Sequence, residues 1–193
     1  MLKAQARPVH LYMEANPNPN SLKFVANFML VEEGVSYDFP DAASAGASQL
    51  AKELFNFAAV QRVFIASNFV TITKSEDAEW AEVQTIFRDH IRQYLESGKK
   101  AVQVVVTKDP LFDANDSEIV KKIKGILDEY IRPAVEQDGG AIVFHSFSDG
   151  VVKVLLQGSC SGCPSSTVTL KAGIQNLLTR MLPEVKEVQA EGV

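Results

Sequence analysis

Two cysteines, Cys160 and Cys163, are the only ones in 193 residues. They stand as Cys-x-x-Cys within the run Gln157-Gly158-Ser159-Cys160-Ser161-Gly162-Cys163-Pro164-Ser165-Ser166-Thr167. Thiols at that spacing serve three chemistries. A [4Fe–4S] cluster takes four thiolates. This chain supplies two, so the site closes when two chains each bring Cys160 and Cys163, most simply as a two-fold dimer with the cluster on its axis. A structural zinc also wants four Cys or His ligands. His10, His90 and His145 lie far from the motif and in no ligand-like spacing, which leaves a zinc shared between two chains. Thiol–disulfide exchange uses the same spacing, with the attacking thiol exposed at a helix start. The motif does precede a helical pattern, but no aromatic residue adjoins Cys160. Spacing alone leaves the three open, with inert thiols as a fourth reading.

The flanking residues say what must hold the pair. Val152, Val154 and Leu156 alternate as a strand, and Leu170, Ile174, Leu177, Leu178 and Met181 recur at helical spacing. Both thiols are therefore expected on an exposed strand-to-helix turn. Gly158 and Gly162 let the backbone bend, and Pro164 opens the helix. The first amides of a helix lack partners and carry partial positive charge, which favours thiolates there.

Other candidates weigh less. Ser165, Ser166 and Thr167 are better read as first-turn residues of a helix than as nucleophiles, since no His or acid is placed near them in sequence. Gly139-Gly140 is followed by no Lys-Ser/Thr pair, so it reads as a helix-to-strand turn rather than a phosphate loop. Asn16-Pro17-Asn18-Pro19-Asn20-Ser21 reads as a rigid turn in preference to a recognition loop. Trp80, at helical spacing, reads as core, and each histidine as structural or exposed.

Strands are expected over 9–14 and 22–30, and a short helix over 48–56. A hairpin is expected across Ser67-Asn68, and an amphipathic helix from Trp80 to Ser97-Gly98. After a weak stretch, Asp116-Ser117-Glu118 caps a helix that Pro133 and Gln137-Asp138-Gly139-Gly140 end. Two strands follow about Asp149-Gly150, a strong hairpin turn. A helix then covers about 164–181, and an edge strand 185–188. The expected fold is α+β, as two small α/β sandwiches: β-β-α-β-β-α over 1–97 and α-β-β-α-β over 116–193, joined by a linker at 98–115.

The net charge of −5 and the lack of any basic block argue against nucleic acid. No apolar run approaches the roughly 20 residues of a membrane helix. The N-terminus has no apolar core of a secretory signal and is short for a transit peptide. With so few cysteines, a reducing cytoplasm is the expected compartment.

Ile131-Arg132-Pro133-Ala134-Val135-Glu136-Gln137-Asp138-Gly139-Gly140, Asp149-Gly150-Val151-Val152, the run from Cys160 to Lys171, and Pro183-Glu184-Val185 resemble the C-terminal domain of NifU-like (Nfu-type) iron–sulfur proteins. Asn16 to Phe24 resembles their N-terminal domain. The resemblance implies a carrier or scaffold, not an enzyme. It would bind a [4Fe–4S] cluster, with a [2Fe–2S] form left open, through Cys160 and Cys163. It would become a homodimer on cluster binding, receive cargo from upstream assembly proteins, and deliver it to client apoproteins. Two positions depart from the family: Ala141 stands where an acid is usual, and Ser159 where alanine is usual.

Overall fold

The structure is a computed structural model of the chain. It describes residues 8–103, 116–161 and 164–192, with the backbone alone at 164–167. The chain divides into two compact units, Met1–Val106 and Thr107–Val193, and the fold is α+β.

In the first unit β1 (Leu11–Ala15), β2 (Ser21–Ala26), β3 (Ser36–Phe39), β4 (Val60–Ala66) and β5 (Phe69–Lys74) form one antiparallel sheet, ordered β1-β2-β5-β4-β3. The β4–β5 hairpin turns at Ser67-Asn68, where Ser67 takes a φ of 44°. β2 is shorter than its alternating sequence predicts. Beyond Ala26 the chain leaves the ladder, and the Leu30 and Val31 amides donate to Ser67 O. Helices α1 (Gln49–Leu54) and α2 (Trp80–Glu96) cover the face presenting Phe24, Val63, Ile65, Val70 and Ile72. Leu50, Leu54, Phe87 and Ile91 complete that core with no exposed surface to speak of.

The predicted order β-β-α-β-β-α lacks β3. This four-residue edge strand pairs Phe39 with Val63 and Tyr37 with Ile65, and its Asp38 meets Arg62 at 3.1 Å. Most of the predicted linker, 104–115, lies outside the described residues. Its described beginning packs on the first unit, where Ala101 and Val102 are buried in the core. Tyr94 OH donates to Lys100 O at 3.1 Å, Ser48 Oγ donates to Ala101 O at 2.6 Å, and the Gln103 amide donates to Ala47 O at 2.9 Å.

In the second unit α3 (Glu118–Ile126) starts at Ser117, whose Oγ accepts from the Val120 amide. Pro133 does not end this helix. A π turn, Leu127–Ile131, intervenes, and α4 (Arg132–Gln137) restarts with Pro133 in its first turn. A proline there removes an amide that had no helical partner in any case, and the wider turn before it absorbs the ring. β6 (Gly140–Ser148) and β7 (Val151–Gly158) pair antiparallel. Their turn, Asp149-Gly150, has φ values of 54° and 85°, both left-handed, as a type I′ hairpin demands. α5 (Pro164–Met181) leads to β8, which runs from Glu187 to Gly192. It starts later than the predicted 185–188, since the Val185 amide donates to Leu182 O in the turn that follows α5. β8 lies parallel to β7, giving the sheet order β6-β7-β8. Val152, Val154 and Leu156 of the central strand pack against Ile123, Ile174 and Leu178 as a second core.

Candidate functional site

The cysteine run begins where β7 ends. Gly158 has a φ of 63°, a conformation that suits glycine, and it turns the chain back over the start of β6. There the next residue is tied down twice. The Ser159 amide donates to Gly139 O at 3.3 Å, and Ser159 Oγ donates to Asp138 O. The Ser161 amide closes the turn by donating to Gly158 O at 3.2 Å.

Cys160 then points inward. It is 4% exposed and belongs to the second core. Its Sγ lies 3.9 Å from Ser159 Oγ. The space it fills exists because residue 140 has no side chain. A Cβ there would stand 2.8 Å from Cys160 Sγ, 3.2 Å from Cys160 N and 2.5 Å from Gln157 O. Gly139-Gly140 is a helix-to-strand turn, as the sequence suggested, and it is also the floor on which the first thiol rests.

The expectation of an exposed bend is therefore corrected for its first cysteine. The hydrogen bonds of Ser159 hold the turn against the 138–140 segment, and Sγ drops into the hollow beside Gly140. Cys163 lies outside the described residues. α5 begins at Pro164, so the motif leads directly into a helix of 18 residues, whose unpaired first amides favour negative charge.

The side chains of Ser165, Ser166 and Thr167 lie outside the described residues. His10 and His145 are exposed. His145 occupies the bulge between Phe144 and Ser146. His90 sits in the first unit, with Nε2 3.3 Å from Glu53 Oε2 and its ring edge-on to Phe57. Among the described residues no three His, Cys, Asp or Glu side chains cluster as a metal site would require. Asn16 to Ser21 is a built turn. Asn16 Oδ1 accepts from the Asn18 amide and Asn18 Oδ1 from the Asn20 amide, at 3.2 and 3.0 Å, and Trp80 Nε1 donates to Pro19 O at 2.9 Å. Trp80 is only half-buried, anchoring that turn to α2.

Sequence reasoning missed the parts played by Gly140 and Ser159. The available signal was a Gly-Gly pair opening one strand and a Gly-Ser-Cys closing its neighbour; the antiparallel register then sets Gly140 opposite Gly158.

Comparison with known proteins matches residues 11–98 to the family model "Scaffold protein Nfu/NifU N terminal" and residues 123–189 to the "NifU-like domain" model. Among similar proteins, "NFU1 iron-sulfur cluster scaffold homolog, mitochondrial" of Drosophila willistoni is 43% identical over 190 residues, covering 98% of this chain and 66% of the relative. The protein of the same name from Drosophila grimshawi is 45% identical over 174 residues, covering 90% of this chain and 58% of the relative. "NifU-like protein 4, mitochondrial" of Arabidopsis thaliana is 42% identical over 195 residues, covering 98% and 69%. The chain thus spans between 58% and 69% of the length of these relatives. The expectation of a cytoplasmic protein is corrected by these names, all of which specify the mitochondrion. A low cysteine count fits any reducing compartment, and the cytoplasm is only one such place.

Proposed function

The chain belongs to the Nfu-type family of NifU-like proteins, and from that premise we propose that it is a carrier for an iron–sulfur cluster, which it delivers to client apoproteins. The observation that carries the reading is the Cys-x-x-Cys between the central strand of the second unit and the start of α5, in a chain with no other thiol. The relatives named as iron–sulfur scaffolds support it.

Two thiolates per chain hold half of a four-thiolate site. Cys160 and Cys163 are the ligands, and a second chain supplies the other pair, as a homodimer about the cluster. The cargo is [4Fe–4S]. Transfer is ligand exchange: a client thiolate forms a bond to iron as one carrier thiolate leaves, with no net change in oxidation state. The first unit, which carries no chemistry-bearing cluster among its described residues, serves recognition of clients or of upstream donors. No step calls for catalysis, so the protein is not an enzyme.

Cys160 at 4% exposure cannot reach a second chain as it stands, so loading includes a local opening of the turn at 158–161.

Anaerobic reconstitution with iron and sulfide tests the reading. The expected product holds about four iron and four sulfide per pair of chains. Cys160→Ala and Cys163→Ala should each abolish loading while the circular dichroism of the fold is retained. A single variant that still loads fully would refute the ligand assignment. Rapid insulin reduction by the cluster-free protein, without cluster uptake, would instead establish a thiol oxidoreductase, and stoichiometric zinc in anaerobically purified protein would establish a zinc adaptor.

A further inference from the structure

Ser159 stands between the two halves of the turn that hides Cys160. Its amide and hydroxyl reach back 20 and 21 residues to successive carbonyls, Gly139 O and Asp138 O. Its side chain is buried, the whole residue being 2% exposed. A hydroxyl has one proton, and here it goes to Asp138 O. The oxygen lone pairs that remain face Cys160 Sγ at 3.9 Å, placed to accept the thiol proton. One side chain therefore does two things. It clips the ligand turn to the 138–140 segment, and it gives the buried thiol a polar partner beside the hollow over Gly140.

We infer that Ser159 is a positioning residue that latches the cargo-free turn closed and so sets how often Cys160 becomes available. The inference rests on the reading of Cys160 as a cargo ligand for its biological meaning, but not for its physical content. Opening the turn must break the Ser159–Asp138 hydrogen bond and withdraw Sγ from the hollow. An alanine at 159 keeps the backbone bond to Gly139 O and loses the side-chain bond. The closed state loses that hydrogen bond, while the open state, in water, loses nothing comparable. The balance moves towards opening, and the fraction of time Cys160 is reachable rises.

The test is made on the full chain, free of cluster, with Cys163→Ser so that one thiol reports. Alkylation of Cys160 by iodoacetamide is followed against urea concentration, with and without Ser159→Ala. A local opening exposes little surface, so its rate is nearly independent of urea at low concentration. Global unfolding depends on urea steeply. Ser159→Ala should raise the urea-independent rate by roughly 2- to 10-fold, the range expected for one lost hydrogen bond. Ser159→Gly, which removes the same hydroxyl, should do likewise. An unchanged urea-independent rate in both variants would overturn the inference. So would acceleration confined to the urea-dependent branch, because that is what simple destabilisation of the fold produces. The companion measurement is iron uptake by the single substitution Ser159→Ala with both cysteines present, which should be faster than in the parent chain. Failure of the parent chain to take up iron would overturn the carrier reading and leave the alkylation result standing; a null alkylation result with normal iron uptake would do the reverse.

Discussion

At the scale of single residues, the site is made by what is missing as much as by what is present. Gly140 carries no Cβ because Gln157 O and Cys160 Sγ already occupy its surroundings, at 2.5 and 2.8 Å from where that atom would be. The first of these is backbone in the paired strand and cannot swing aside. Gly140→Ala is therefore expected to destabilise the second unit by about 1–3 kcal/mol, as overpacking generally does, and to expel Cys160 from its hollow. Urea unfolding followed by circular dichroism checks the first effect, and thiol alkylation the second. A variant as stable as the parent, with Cys160 equally protected, would contradict the packing described. The Cys-x-x-Cys spacing can be read from sequence because it involves residues three apart; the burial of Cys160 cannot. Nor can the roles of Ser159 and Gly140, because they depend on a contact across about twenty residues that only the β6–β7 register creates.

At the scale of elements, local chemistry wrote most of the fold into the sequence. Asp149-Gly150 specified its hairpin because both positions need positive φ. Gly150 is doubly constrained: a Cβ would sit 2.9 Å from the Lys186 side chain and 3.1 Å from Glu184 O. Gly150→Ala should cost about 1–2 kcal/mol through left-handed strain alone, read from the midpoint of chemical unfolding. Ser48 is a second such point. Its Oγ accepts from the Ala51 amide at 3.0 Å, capping α1, and donates to Ala101 O at 2.6 Å. Ser48→Ala removes both bonds from a residue with no exposed surface and should cost about 1–3 kcal/mol. An effect below about 0.5 kcal/mol would mean that water or a shifted backbone replaces the hydroxyl. Two elements were misread. β3 is four residues long, too short for its Tyr37/Phe39 alternation to stand out, and its partner strand lies more than twenty residues on. Pro133 looked like a stop because a proline breaks the interior of an α-helix. The π turn before it restarts the helix and places the ring in a first turn instead.

At the scale of the molecule, two separate cores share no residue, and each carries its own sheet. The second core holds the cysteine turn. A chain beginning at residue 116 should therefore still load cluster with the stoichiometry of the full chain, while transfer to some clients slows for want of the first unit. Equal transfer to every client would remove the recognition role proposed for that unit. Residues 98–103 go with the first unit rather than staying on the second, since Ala101 and Val102 are buried in its core. Half a site per chain, as proposed, is read out by native mass spectrometry of the anaerobically loaded protein. Cluster is expected only on the species with the mass of two chains, and is expected to vanish with Cys160→Ala. Cluster retained on a single chain, or on the Cys160→Ala dimer, would contradict the proposal.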